Sequence, residues 1–168
     1  MGYTNIKIIV LIPLMTLFSW LSSSGQDSVE SRIKEIRKEC DRINKDITKF
    51  KVVQEDINDQ SAEGGILKKF YDGNTLRKAV LTFFGETGQS TSEGYFLNEE
   101  IIFVLQTEER YKSPIYMGKT ETKSKEENRF YFKNEKIIRW IANNGKIMDT
   151  RLYPEKEKEI FDDFKNIH

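Results

Sequence analysis

Three apolar patterns succeed one another along the chain. The first is a nearly unbroken apolar run from Ile8 to Leu21. The second is helical: Val29, Ile33, Ile36, Cys40, Ile43 and Ile47 recur at spacings of four and three and form one stripe of a helix over 28–47. Ser28 is its expected N-cap, and Glu30–Lys34, Glu35–Lys38 and Glu39–Arg42 can pair along its outer face. The third pattern begins at Phe50 and is β in texture, with short runs of aromatic and β-branched residues separated by turn formers. It predicts an antiparallel meander of six or seven strands over 50–142. A final helical stripe of Ile160, Phe161, Phe164 and Ile167 predicts a C-terminal helix over 154–167. Pro154 sits in its first turn, and Glu155, Glu157 and Glu159 lie near its N-terminal end. The expected fold class is α+β, in the order helix, meander, helix.

The β region repeats itself. Phe70–Val80, Tyr95–Leu105 and Tyr131–Ile141 align without a gap, and the last two copies share Tyr-Phe-x-Asn-Glu-x-Ile-Ile. Each copy reads as a hairpin, with two aromatics leading in and apolar residues leading out. The turn pairs are Gly73-Asn74, Asn98-Glu99 and Asn134-Glu135. Two-residue hairpin turns need positive φ, which Gly and Asn supply at low cost. Glu is less suited to the second position, so one of the turns is expected to be longer. Two-residue turns pair Phe96 with Ile101, Tyr95 with Ile102, Phe132 with Ile137 and Tyr131 with Ile138.

The period of two then divides the side chains. Tyr95, Ile102, Val104, Tyr131, Ile138 and Trp140 fall on one face. Phe96, Ile101, Phe103, Leu105, Phe132, Ile137, Arg139 and Ile141 fall on the other. Both faces are apolar, so either helices cover both or the sheet curls around a core. Gly85-Glu86-Thr87-Gly88 reads as a further hairpin turn. The stretch 106–128 is the longest irregular one, and part of it is expected to continue a strand, because Lys119–Lys123 alternates.

Composition adds a destination. Lys7 precedes the apolar run, and the small residues Ser22–Gly25 follow it. A basic start, a short apolar run and a small-residue exit make a secretory signal peptide over 1–25, cleaved between Gly25 and Gln26. The run holds about 14 residues against the ~20 that span a bilayer, so no stable membrane span is expected after cleavage. No cysteine ends the run, so the chain is not expected to be a lipoprotein. The expected location is periplasmic or extracellular, for a single domain over 26–168. Cys40 is the one cysteine, which excludes an internal disulfide. Its place on the helical stripe makes it a buried apolar residue rather than a reactive thiol. Lys and Arg balance Asp and Glu at 27 each. That leaves no basic excess for nucleic acid.

Chemistry is sparse. The single histidine, His168, ends the chain, so His-based triads and His-ligated metals are poorly supported. No phosphate loop or nucleophile elbow is present. Acid pairs such as Glu108-Glu109 and Asp162-Asp163 suit a solvated surface, and an acid-based hydrolase is the weakest functional reading. No catalytic residue, metal or cofactor is assigned. The binding candidates are Tyr111, Tyr116 and Met117 on the long loop, with Arg139 and Trp140 on the third hairpin. Tyr, Trp and Arg are the residue types that dominate interfaces. Trp140 also suits core packing.

The aromatic-aromatic-x-Asn/Gly turn followed by an apolar strand resembles the hairpin unit of MORN-type repeat variants in exported bacterial proteins. The resemblance spans Phe70 to Ile141, with uneven spacing and without the regular glycines of that pattern. It implies a meandering sheet and a scaffold or binding role. The expected function is an exported, non-catalytic module that binds a protein or envelope component. The alternative is a carrier of a small apolar ligand, with a pocket lined by Phe96, Phe103, Phe132 and Trp140 on a curved sheet.

Overall fold

Each of the three repeat copies folds as a hairpin, and each carries one extra residue just after its turn. The computed structural model describes residues 24–57, 63–118, 121–165 and 167, so all but the last two residues of the expected leader lie outside the described residues. Seven strands follow one another in the sheet in chain order, every pair antiparallel. They are β1 (Lys51–Ile57), β2 (Gly65–Asp72), β3 (Thr75–Gly85), β4 (Gly88–Leu97), β5 (Glu100–Tyr111), β6 (Thr122–Lys133) and β7 (Lys136–Ile141). Helix α1 (Ser24–Asp46) precedes the sheet and α2 (Tyr153–Phe164) follows it. The fold is α+β, as the periodicity predicts. The start of α1 places Ser28 inside the helix instead of at its cap. The turn at Gly85–Gly88 forms as expected, and β5 and β6 run deep into the 106–128 stretch, which leaves a connection over 112–121 between them.

The three repeat turns are all two residues long, because Asp72 pairs with Thr75, Leu97 with Glu100 and Lys133 with Lys136. No copy needs the longer turn. Asn98 and Glu99 take φ of 51° and 67°, and Asn134 and Glu135 take 49° and 60°. Positive φ at both central residues matches the right-handed twist of the strands that the turn joins. The fit of the turn outweighs the local discomfort of glutamate.

The first cross-strand pairs are the expected ones, Phe96 with Ile101 and Phe132 with Ile137. The next pairs are not. Tyr95 faces Phe103 instead of Ile102, and Tyr131 faces Arg139 instead of Ile138. In the first copy Tyr71 faces Leu76 and Phe70 faces Lys78. Arg77, Ile102 and Ile138 are therefore bulge residues at the same place in all three hairpins. A bulge sets two residues against one and inverts the alternation beyond it. Val104 and Trp140 thus move to the face of Phe96 and Phe132, while Phe103, Leu105, Arg139 and Ile141 move to the face of Tyr95 and Tyr131.

The inverted alternation builds one row of side chains across all seven strands: Val52, Phe70, Lys78, Tyr95, Phe103, Tyr131 and Arg139. Helix α1 crosses the sheet over this row. Its stripe of Ile33, Ile36, Cys40 and Ile43 is buried against Tyr95, Ile102 and Tyr131. Burying each isoleucine contributes roughly 1.5–3 kcal/mol. On the opposite face Ala79, Gly94, Val104, Phe130 and Trp140 form the matching row. Its small members lie mid-sheet, where α2 presses in with Ile160 and Phe164. A Cβ on Gly94 would stand 2.9 Å from the Phe164 ring. Helices therefore cover both faces of an open sheet, the first of the two arrangements that the apolar faces allow.

The two sheet edges are treated differently. On β7 the Ile137 N–H donates to Glu157 Oε1 at 2.8 Å and the Trp140 N–H to Tyr153 Oη at 3.2 Å. Ala142 N donates to the Lys146 carbonyl, and the Trp140 carbonyl accepts from Met148 N. These contacts occupy the backbone groups that would otherwise template another strand. The β1 edge is instead guarded by charge, with Lys51, Glu55 and Asp56 exposed.

Replacing Glu99 and Glu135 together by glycine removes two side chains from positive φ. It is expected to raise stability by about 0.5–1 kcal/mol per site, read as a higher urea midpoint at unchanged slope. Gly94→Ala is expected to do the reverse by about 1–3 kcal/mol, because the added methyl forces the buried Phe164 ring to shift.

Candidate interaction surface and the crevice beside α1

The connection between β5 and β6 lifts three apolar side chains into solvent. Ile115, Tyr116 and Met117 form one turn of 3-10 helix and are 48%, 71% and 66% exposed. Gly118 ends the turn at φ 86°, a conformation open to glycine without strain. The segment is tied down on both sides. Ile115 N donates to the Glu86 carbonyl at 2.9 Å, and Tyr111 N donates to the Thr87 carbonyl at 2.8 Å. Lys112 N donates to the Glu121 carbonyl, and the Lys112 ammonium pairs with the Glu121 carboxylate, both at 2.8 Å. Thr122 Oγ1 donates to Glu109 Oε1 below. The apolar turn is thus mounted on the β3–β4 hairpin. The same end of the sheet holds an open groove of about 350 Å³. Phe83, Ser90 and Glu108 form one cross-strand row of its lining, and Gly85, Gly88 and Arg110 the next.

The five candidate residues do not converge. Tyr111 pairs with Thr122 at one end of β6, while Trp140 pairs with Phe130 near the other. Eight residues of strand, about 26 Å, separate the two positions. Tyr111 is half-buried and braces the loop, while Tyr116 and Met117 are exposed. Arg139 and Trp140 point to opposite faces. The Arg139 guanidinium reaches Glu30 of α1 at 2.7 Å. Trp140 packs 5.1 Å from Phe130, centroid to centroid, and its Nε1–H donates to Asn128 at 2.8 Å. Trp140 is therefore half-buried at the margin of the core on the α2 side, with its polar atom satisfied. Nor do the four residues expected to line a carrier pocket share a face. Phe96 and Phe132 are fully buried beneath α2, and Phe103 lies under α1.

The other concentration of chemistry lies between α1 and the sheet. Lys78 is buried, and its ammonium donates to Tyr95 Oη at 2.8 Å and pairs with Glu93 at 2.5 Å. Burial opposes the charge, but the bonds to Glu93 and Tyr95 prevail and hold Lys78 above the usual lysine range. Tyr95 Oη donates in turn to Asn44 of α1 at 3.0 Å. Arg77, also buried, meets Glu39 at 2.6 Å, and Glu39 also holds Arg42. The hydrogen bond from Arg42 is the main reason that the Glu39 carboxyl lies below its ordinary range. These contacts pin α1 in register as well as in place.

On one flank of α1 the sheet emerges and leaves a crevice of about 260 Å³. Arg37, Asp41 and Asn44 line its helix side. Tyr95, Phe103, Tyr131, Leu105 and Arg129 line its floor and far wall. Cys40 closes the base. Burial, with help from Asp41 and Glu39, pushes its thiol up to about 12, so it carries no charge there.

The pattern of the chain hides this crevice. Arg37, Asp41 and Asn44 flank the apolar stripe of α1 and read as solvated. The first repeat copy does carry a signal, since Arg77-Lys78 replaces the Ile102-Phe103 of the second. Ile115 is the other omission; it completes the exposed turn beside Tyr116 and Met117.

Among the described residues no cluster of three His, Cys, Asp or Glu side chains is placed to hold a metal, and no helix is long and apolar enough to cross a membrane. Compared with protein-family models, curated proteins and solved structures, the chain matches none.

A thiol near 12 in a buried site is inert to electrophiles at neutral pH. In native buffer at pH 8, a chromogenic disulfide reagent is expected to label Cys40 only at the rate of unfolding. Full labelling within the mixing time is expected once urea unfolds the chain. Prompt labelling of the native protein would show an open site instead.

Proposed function

We propose that this chain is an exported, non-catalytic binding module that docks a protein partner through the turn Ile115–Tyr116–Met117. The observation that carries this reading is the exposure of three consecutive large apolar side chains on a turn held by hydrogen bonds to the neighbouring hairpin. Isolated exposed apolar residues are common on any surface. Three together on an anchored turn are an expense in solubility that a partner would repay, and the tether lowers the ordering cost of binding. Tyr116 supplies the large amphipathic ring typical of interface anchors, and Met117 supplies a side chain that adapts to an irregular recess. The leader pattern at 1–25 supports export.

The test is capture by the immobilised protein from its native envelope and culture fluid, read by mass spectrometry beside the triple variant Ile115→Ser, Tyr116→Ser, Met117→Ser. One saturable protein partner is expected for the parent chain. The variant is expected to lose it by two orders of magnitude or about 3 kcal/mol, with a thermal midpoint within ~2 °C of the parent. A partner that binds both chains equally would move the docking surface elsewhere.

A further inference from the structure

The crevice beside α1 holds a cation and an anion that the protein does not use against each other. Arg37 and Asp41 are four residues apart on one helix, a spacing that lets opposite charges pair. The Arg37 guanidinium turns away instead. Its Nε donates to Tyr131 Oη at 3.1 Å, and its carbon stands 5.5 Å from the centre of the Tyr131 ring. Other cations between α1 and the sheet have acidic partners: Arg77 has Glu39, Lys78 has Glu93 and Arg139 has Glu30. On the far wall Arg129 has Glu127. Among the described residues neither Arg37 nor Asp41 has an ionic partner. Below them the floor is apolar and aromatic, with Phe103 and Leu105 half-buried and neutral Cys40 at the base.

We propose that this crevice binds a small zwitterion with an apolar side chain, the chemical class of the neutral hydrophobic α-amino acids. The carboxylate meets Arg37, whose Nη groups have no hydrogen-bond partner among the described residues and offer a two-point contact. The ammonium meets Asp41, one helical turn along. The side chain lies on Phe103 and Leu105. A simple carboxylate would leave Asp41 facing its negative charge, and a simple amine would leave Arg37 facing its positive one. Only a molecule that carries both charges close together satisfies both. At about 260 Å³ the crevice falls below the usual range for drug-sized ligands and suits one of amino-acid size. This site is separate from the apolar turn, and the proposal stands whether or not that turn binds a protein.

Calorimetric titration of the purified chain with L-phenylalanine and with L-leucine, alongside amide and methyl NMR, tests the proposal. Saturable one-to-one binding of at least one of them is expected, with shift changes centred on Phe103, Leu105 and Tyr131. The analogues 3-phenylpropionate and 2-phenylethylamine, which each lack one charge, are expected to bind about tenfold or more weakly than phenylalanine. Arg37→Gln and Asp41→Asn are each expected to weaken binding by about tenfold or more. Both residues are exposed, so both variants should unfold at nearly the parent temperature. Three results would overturn the proposal. They are no saturable binding of either amino acid up to ~10 mM, equal binding of 3-phenylpropionate, and affinity unchanged in both variants.

Discussion

A single extra residue after each of three hairpin turns governs how this molecule is assembled. Arg77, Ile102 and Ile138 bulge at equivalent places, and every side chain beyond them changes face. Without the bulge Phe103 would lie under α2 and Trp140 under α1. With it, Phe103 joins Tyr95 and Tyr131 in a row of tilted aromatic contacts, at centroid separations of 5.6 and 5.0 Å. Trp140 joins Phe130 and Tyr153 on the other side. A bulge also increases local twist. The repeat is thus a device for building two distinct faces from nearly the same sequence.

The two faces are stabilised by different means. Under α2 the centre of the contact is apolar, with Glu157 and Tyr153 bonded to the β7 edge, and its fit depends on Gly94 making way for the Phe164 ring. Under α1 the apolar stripe is bordered by the Arg77–Glu39 and Lys78–Glu93 pairs, with Tyr95 bridging Lys78 to Asn44. Buried pairs of this kind add less stability than their geometry suggests, because both charges must be stripped of water. Their larger effect is directional. The contacts that reach α1, Arg77 to Glu39 and Tyr95 to Asn44, favour one axial position of the helix over others that would bury the same isoleucines. That position sets Arg37 and Asp41 over Phe103 and Leu105, so the helix register creates the crevice.

Function is carried away from the core in both readings. The Ile115–Met117 turn stands at the end of the long central strands, where hydrogen bonds to Glu86 and Thr87 keep an apolar surface in water. The crevice opens where the sheet passes out from beneath α1. Neither place bears on the packing of α2, and the exposed residues of each, Ile115–Met117 on the turn and Arg37 and Asp41 on α1, can vary in sequence at little cost to the fold.

Much of the architecture was legible in the chain. The stripe at Val29–Ile43 and the stripe at Ile160–Phe164 each define a helix, since only a 3.6-residue period sets those residues on one side; Ile167, expected in the second helix, is buried beyond its end at Phe164. The aromatic pairs before Gly73, Asn98 and Asn134 define hairpins, since few residues adopt positive φ. The bulges were not legible. A bulge is set by how two strands twist against each other, and Ile102 looks like any strand residue until its partner is known. The sorting of Phe103, Arg139 and Trp140 to their faces was therefore decided by tertiary structure. So was the meeting of Arg37 and Asp41 with Leu105, which is distant from them in the chain and adjacent only once α1 has settled across the sheet. Local periodicity determines elements because its causes lie within a few residues. A site depends on register between elements, and register is decided by contacts that no local window contains.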